Sequence, residues 1–269
     1  MKKIQTKKTQ TKSKTRRWVI KAGSQMVCGG GPLLIRAWME QVALLKKKHR
    51  IEVIWVTSGA IASAVERTDF SRPQKTLPEK QALSAIGQPM VMDLYNIALN
   101  ANGLIGAQVL LTAGDMRELK RRRNLQNTLE KLLEWHAVPV LNENDAVSTD
   151  EIKFGDNDSL SSQIARMMGA ERLILLTDVE GLYDSDPKKS KNAKLINYRK
   201  KPNQMDLKYA GRLAGSSRGT GGMYSKILAA QNALKSGIIT HLVKGDHALN
   251  LIQLAEGRRL GTQIGGKEP

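Results

Sequence analysis

The stretch Val138–Ala165, VPVLNENDAVSTDEIKFGDNDSLSSQIA, decides how the chain folds and where its chemistry lies. It opens with an apolar run, Ala137-Val138-Pro139-Val140-Leu141, short enough for a buried strand. The run stops in a polar cluster, Asn142-Glu143-Asn144-Asp145, and eleven residues after Asp145 comes a second cluster, Asp156-Asn157-Asp158. The second cluster opens a segment of helical spacing, Ser159–Met168, with Leu160, Ile164 and Met168 on one face, and Asp158 is the expected N-cap. Two acidic and amide clusters this close together are costly to bury without a purpose. They suit a site that grips an amine, a metal-phosphate or a lysine.

Working outward, strand and helix patterns alternate. Strands are expected at Trp18–Ile20, Ile51–Thr57, Ala107–Leu111, Val138–Leu141, Arg172–Leu176 and Ile238–Val243. Helices are expected at Leu33–Lys47, from Ala60 through Val65, at Glu79–Asn100 with a kink at Gly87-Gln88-Pro89, at Leu125–Trp135, and at Met223–Ser236. Gly29–Pro32 reads as a loop, residues 184–222 as loop-heavy, and Gly257–Thr262 as closing turns. Such alternation predicts an α/β fold with a mostly parallel sheet between helical layers. One domain is expected over residues 18–269, behind a disordered basic tail at 1–17.

In these sheets ligands bind beyond the carboxyl ends of the strands. Here strand after strand ends in small or polar residues: Lys21-Ala22-Gly23-Ser24, Thr57-Ser58-Gly59, Asn142–Asp145 and Thr177-Asp178. Gly219-Thr220-Gly221-Gly222-Met223 precedes a helix, so bare backbone N–H groups can approach a phosphate there, with Lys226 on the first turn. The alternative is a flexible loop with a solvated lysine. Lys21 with Gly23 is a smaller version of the same arrangement, or simply a strand-ending turn. Ser58-Gly59-Ala60 could bind a carboxylate through backbone N–H groups, or act only as a helix cap.

Composition narrows the classes. The net charge is +18; residues 1–17 carry eight Lys or Arg and no acid, which leaves +10 on the rest. Polyanions, nucleotides among them, are the natural partners. A nucleic-acid-binding protein using the tail and Arg121–Arg123 is a competing reading, against which the aromatics that stack bases are few. No apolar run reaches the ~18 residues of a membrane helix, and the basic N-terminus has no apolar core of a secretory signal. Cys28 is the only cysteine, which fits a reducing compartment and a cytoplasmic location. The four histidines show no metal spacing, and Gly215-Ser216-Ser217-Arg218-Gly219 lacks the preceding strand that a hydrolase elbow requires.

Jointly, VTSGAIA (56–62), the clusters of 138–161, LLTDVEGLYDSDP (175–187) and GTGGMYSK (219–226) resemble the amino acid kinase family, in particular its glutamate-phosphorylating branch. The resemblance runs from Trp18 to about Thr262 and covers the kinase part alone, without the C-terminal PUA domain of many members. It implies a three-layer αβα sandwich with an acceptor half (about 18–165) and a nucleotide half (about 166–269). It further implies phosphorylation of the side-chain carboxylate of L-glutamate by ATP with Mg²⁺, the first step of proline synthesis. By matching motif, Lys21 and Lys226 would flank the transferred phosphoryl and Asp158 would hold them. Ser58, Gly59, Asp145 and Asn157 would bind the acceptor. Lys21, Gly23, Thr177, Asp178, Thr220, Gly221, Gly222, Met223 and Lys226 would line the ATP site, and no protein metal cage is expected. A homo-oligomer is implied, as is glutamyl phosphate reductase as a partner; the helix at 79–100 is a candidate subunit contact. Ala22 and Ala64 depart from the family pattern. The alternative is a kinase of the same fold acting on another carboxylate, a carbamate or a phosphate.

Overall fold

The computed structural model describes residues 16–68, 70, 75–148, 157–187, 189–213 and 222–268. The parallel core strands are β1 (Arg16–Ala22), β2 (Ile51–Val56), β3 (Gly106–Leu111), β4 (Val138–Glu143), β5 (Arg172–Thr177) and β7 (Ile239–Lys244). With β6 (Tyr198–Arg199) and β8 (Thr262–Ile264) they form one sheet in the order β3-β4-β2-β1-β5-β7-β8-β6. Among the described strands only the β7–β8 pair is antiparallel. The strand order turns between β1 and β5, and that crevice at the carboxyl edge is where ligands bind in sheets of this type.

The helices are α1 (Ser24–His49), α2 (Ala60–Thr68), α3 (Leu77–Asn100), α4 (Ala113–Arg117), α5 (Leu119–Glu134), α6 (Asn157–Met167), α7 (Gln204–Leu213), α8 (Met223–Leu234) and α9 (Asn250–Ala255). Central strands are apolar on both faces because helices cover both sides. Trp18, Ile20, Val53 and Trp55 pack with Trp38 of α1 and Tyr95 of α3. Val19, Ile54 and Val56 face the opposite layer, with Leu129 of α5, Ile164 of α6 and Ile227 of α8. This is the expected three-layer αβα sandwich.

Several boundaries differ from the sequence reading. β1 begins at Arg16, not Trp18. Arg17 is tied down there by Glu52 and Glu130, each at 2.8 Å. The expected loop at Gly29–Pro32 is only a break inside α1, where Gly31 takes φ 56° just before Pro32. α3 begins at Leu77, two residues before the expected Glu79, and runs through Pro89 as the expected single helix. The loop-heavy segment holds β6 and α7. α7 starts from a reciprocal cap, with Asp206 N donating to Asn203 Oδ1 at 2.9 Å and Asn203 N donating to Asp206 Oδ2 at 3.0 Å. The basic run at 120–123 belongs to α5 rather than preceding a helix, and Thr262 opens β8 instead of closing a turn.

Candidate active site

The site is built at the carboxyl ends of the parallel strands, from their last residues and the helix starts beyond them. Lys21 is the sixth residue of β1 and is buried, as are Asp158 on α6 and Lys226 on α8. Lys21 Nζ lies 2.7 Å from Asp158 Oδ1, and Lys226 Nζ lies 3.2 Å from Asp158 Oδ2. Ser225 Oγ donates to the same Oδ2 at 2.7 Å. Burial alone would raise the Asp158 carboxyl pKa. The charges of Lys21 and Lys226, with hydrogen bonds from Lys21 and Ser225, outweigh burial and hold it below the ordinary carboxylate value. Asp158 is therefore a fixed anion between two ammonium groups. The N-cap role expected of it is corrected: α6 begins at Asn157, and the carboxylate is spent on the lysines.

Glycine supports this arrangement at two helix starts. Gly222 precedes α8; its carbonyl accepts from Lys226 N at 3.4 Å and lies 2.7 Å from Ser225 Oγ, sharing the single hydroxyl hydrogen with Asp158. Gly23 precedes α1, and a Cβ there would stand 3.4 Å from Lys21 Nζ. Met223 opens α8 and is buried. Thr177 ends β5 and Asp178 follows it, and since Ala22 pairs with Leu176 they share the carboxyl edge with Lys21. Thr177 Oγ1 donates to Asp178 Oδ1 at 3.3 Å. Thr220 and Gly221 lie outside the described residues, as does the Gly215–Gly219 match.

A second group lies at the ends of β2 and β4. Asn157 Nδ2 is 2.7 Å from Thr57 O, 2.8 Å from Ser58 Oγ and 2.7 Å from Asn142 Oδ1. Gly59 takes φ +102°, a conformation suited to glycine. It packs against Cys28, whose Sγ is 3.7 Å from the Gly59 carbonyl and 3.6 Å from Ser63 Oγ. Partial burial pushes the Cys28 thiol pKa up, which disfavours the reactive thiolate. Asp145 sits in the turn after β4. Asn157 and Asp158 are neighbours on one helix, so one residue reaches the β2–β4 group while the next holds the lysines.

Two participants have no role in the sequence reading of the site. Asn142 stands there only as a member of its polar cluster, yet its carboxamide bridges Asn157 to Gln88, with Asn142 Nδ2 donating to Gln88 Oε1 at 2.7 Å. Gln88 gives no signal except its place beside Gly87 and Pro89. Gly87 itself marks a close approach: a Cβ there would fall 1.8 Å from Ala60 O and 3.0 Å from Ala64 N. The small residue at this contact is supplied by α3, which is compatible with alanine at 64. Among the described residues no three His, Cys, Asp or Glu side chains are grouped to hold a metal ion. No helix of the described residues is long and apolar enough to cross a membrane.

Known proteins share the sequence pattern and the fold of this chain. The model of the amino acid kinase family matches residues 16–244. A protein named glutamate 5-kinase from Thermoanaerobacter sp. (strain X514) is 42% identical over 252 residues, covering 91% of this chain and 67% of its own length. The protein of the same name from Polaromonas naphthalenivorans is 44% identical over 253 residues, covering 93% and 66%. Carbamate kinase from Giardia lamblia bound to AMP-PNP shares the fold with TM-score 0.63 at 14% identity, covering 94% of this chain and 99% of its own. An isopentenyl phosphate kinase matches with TM-score 0.61 at 16% identity, covering 93% and 100%. With the family's model matched from β1 through β7, the chain belongs to the amino acid kinase family.

Proposed function

We propose that this enzyme transfers the γ-phosphoryl group of ATP to the side-chain carboxylate of L-glutamate, giving ADP and L-glutamyl 5-phosphate, the entry to proline synthesis. The observation that carries the chemistry is the Lys21–Asp158–Lys226 arrangement. The choice of acceptor is supported by relatives named glutamate 5-kinase that are 39–44% identical over at least 91% of the chain.

The acceptor carboxylate has an ordinary pKa of ~4.3 and is already ionised at neutral pH, so no general base is required. One of its oxygens attacks the γ-phosphorus, the bond to the β,γ-bridging oxygen breaks, and ADP leaves with that electron pair. Catalysis then consists of holding the reactants in line and neutralising charge on a phosphoryl group in flight. Two buried ammonium groups pinned by one carboxylate are suited to this, because they need no reorganisation when the charge moves. Asp158 is a positioning anion, not a base.

In this reading Ser58, Gly59, Asp145 and Asn157 receive glutamate. Lys21, Gly23, Thr177, Asp178 and the segment Thr220–Lys226 receive ATP. Mg²⁺ would be held largely by ATP oxygens and water, and would supply neutralisation of phosphate charge. Both oxygens of Asp158 are engaged by lysines, so that carboxylate would serve the lysines and not the metal. The cytoplasm suits a chain with one cysteine. An acyl phosphate is labile in water, and direct transfer to a glutamyl phosphate reductase would protect it. Exposed Ile86 and Ile97 on α3 are apolar surface that a second copy of the chain would cover.

The test is an acceptor screen with ATP and Mg²⁺ in the presence of hydroxylamine. L-Glutamate is expected to give the hydroxamate, and L-aspartate far less. Comparable yields from aspartate, or none from glutamate, would overturn the assignment of substrate.

A further inference from the structure

Gln81, Gln88 and Tyr95 are spaced by seven residues, so they lie on one stripe of α3. All three reach the acceptor end of the sheet. Gln81 Nε2 donates to Ser148 O at 3.2 Å, Gln88 Oε1 accepts from Asn142 Nδ2 at 2.7 Å, and the Tyr95 hydroxyl is 3.0 Å from Thr57 Oγ1. Gln88 and Asn142 are both buried.

The oxygen and nitrogen of a carboxamide are told apart by their partners. Here the main chain fixes the polarity at both ends. The Glu143 N–H can only donate, and it lies 2.9 Å from Asn142 Oδ1. The Thr57 carbonyl can only accept, and Asn157 Nδ2 lies 2.7 Å from it. Asn142 must therefore turn its nitrogen to Gln88, and Gln88 must answer with its oxygen. At the other end, three acceptors, Thr57 O, Ser58 Oγ and Asn142 Oδ1, share the two hydrogens of Asn157 Nδ2. What Asn157 has left to offer a ligand is its carbonyl oxygen, which can only accept.

We propose that Gln88 is a positioning residue for acceptor recognition: by accepting from the buried Asn142 NH₂ it holds the Asn142 carboxamide, whose oxygen Asn157 bonds, in the polarity that the main chain sets, and so keeps the Asn157 oxygen directed at acceptors that carry an amino group. The inference rests on the proposed function above, in which the acceptor is an amino acid. Without an acceptor at position 88, the Asn142 NH₂ is buried unpaired. The carboxamide then rotates to recover a partner, and the Asn157 oxygen loses its fixed direction.

The experiment compares wild type with Gln88→Met, which keeps the size but not the acceptor, and Gln88→Glu, which keeps an acceptor oxygen. KM values for L-glutamate and for ATP are read alongside kcat; a KM is independent of the folded fraction of a preparation. The Met variant is expected to raise the KM for glutamate about tenfold, the scale of one weakened hydrogen bond to a charged ammonium, while the KM for ATP and kcat stay within about twofold. The Glu variant is expected to recover most of that loss. An unchanged KM for glutamate, an equal rise in both KM values, or a Glu variant as impaired as the Met variant would overturn the proposal. Absence of hydroxamate from the wild type with glutamate would instead overturn the function on which it rests.

Discussion

Lys21 Nζ stands 2.7 Å from Asp158 Oδ1 with both side chains almost wholly out of solvent, at 4% and 0% exposure. A buried pair of this kind has a double consequence. It costs solvation to form, and removing one partner leaves the other charge buried without compensation.

Asp158→Asn is therefore expected to damage both activity and stability. Two ammonium groups would face each other across a neutral amide, at a cost of about 3–5 kcal/mol, the range for breaking a buried ion pair. Turnover should fall by about 10²–10³, as when one preorganised electrostatic group is lost. Thermal unfolding and steady-state kinetics on the same preparation check this. A variant with wild-type turnover would mean that Asp158 does not position the lysines for catalysis.

Lys226→Ala is expected to lower turnover far more than it weakens ATP binding. Negative charge moves to the bridging oxygen as the phosphoryl leaves ADP, so a cation held there favours the transition state over the ground state. The expected loss in kcat is about 10²–10³. Arginine should rescue poorly, because its planar fork does not replace a compact ammonium. A change within about twofold, as for most surface substitutions, would remove Lys226 from the mechanism.

The parallel sheet was legible because its strands are short apolar runs ending in polar residues, as at Val140-Leu141-Asn142. α7 was not, because Gln204–Leu213 lies within a basic, Gly-rich segment whose composition reads as loop. Its signal was local: Asn203 and Asp206, three apart, cap the helix reciprocally. The site lysines were legible as cations beside glycines at element ends. Their mutual contact with Asp158 came from matching the family pattern. The Gln88–Asn142 bond was not legible at all. It joins side chains 54 positions apart, and no periodicity marks a buried glutamine as an acceptor for a particular asparagine.

His241 on β7 supplies a pH prediction. Burial, and then the nearby Arg172, push its pKa down to about 3, from an ordinary value of 6.5. Below pH 6.5 the unfolded chain takes up a proton at this site that the folded chain refuses. Its contribution to stability is thus fully present above pH 6.5 and falls as pH drops toward 3. The limiting slope is about 1.4 kcal/mol per pH unit. In denaturant titrations between pH 7 and 5, His241→Leu should lose less stability than wild type. Equal losses in the two proteins would show that His241 is not the responsible group.

The basic N-terminal segment divides at Arg16. Arg17 bonds to Glu52, Glu130 and the Met168 carbonyl, and its side chain is 11% exposed. A chain beginning at Arg16 should keep turnover and these contacts. A chain beginning at Trp18 should be less stable by about 2 kcal/mol, the scale of charge-assisted hydrogen bonds. Identical melting of the two truncations would contradict the account of β1.

The most direct measurement of phosphoryl transfer to the carboxylate uses L-glutamate whose side-chain carboxylate oxygens carry the heavy isotope. The labelled substrate is incubated with ATP, Mg²⁺ and hydroxylamine, and the released inorganic phosphate is analysed by mass spectrometry. Hydroxylamine attacks the acyl carbon, so the phosphate departs with the oxygen that linked it to glutamate. The account predicts one heavy oxygen in each phosphate released with the hydroxamate. Phosphate without label would mean that water, not the glutamate carboxylate, receives the phosphoryl group, and would contradict the proposed reaction.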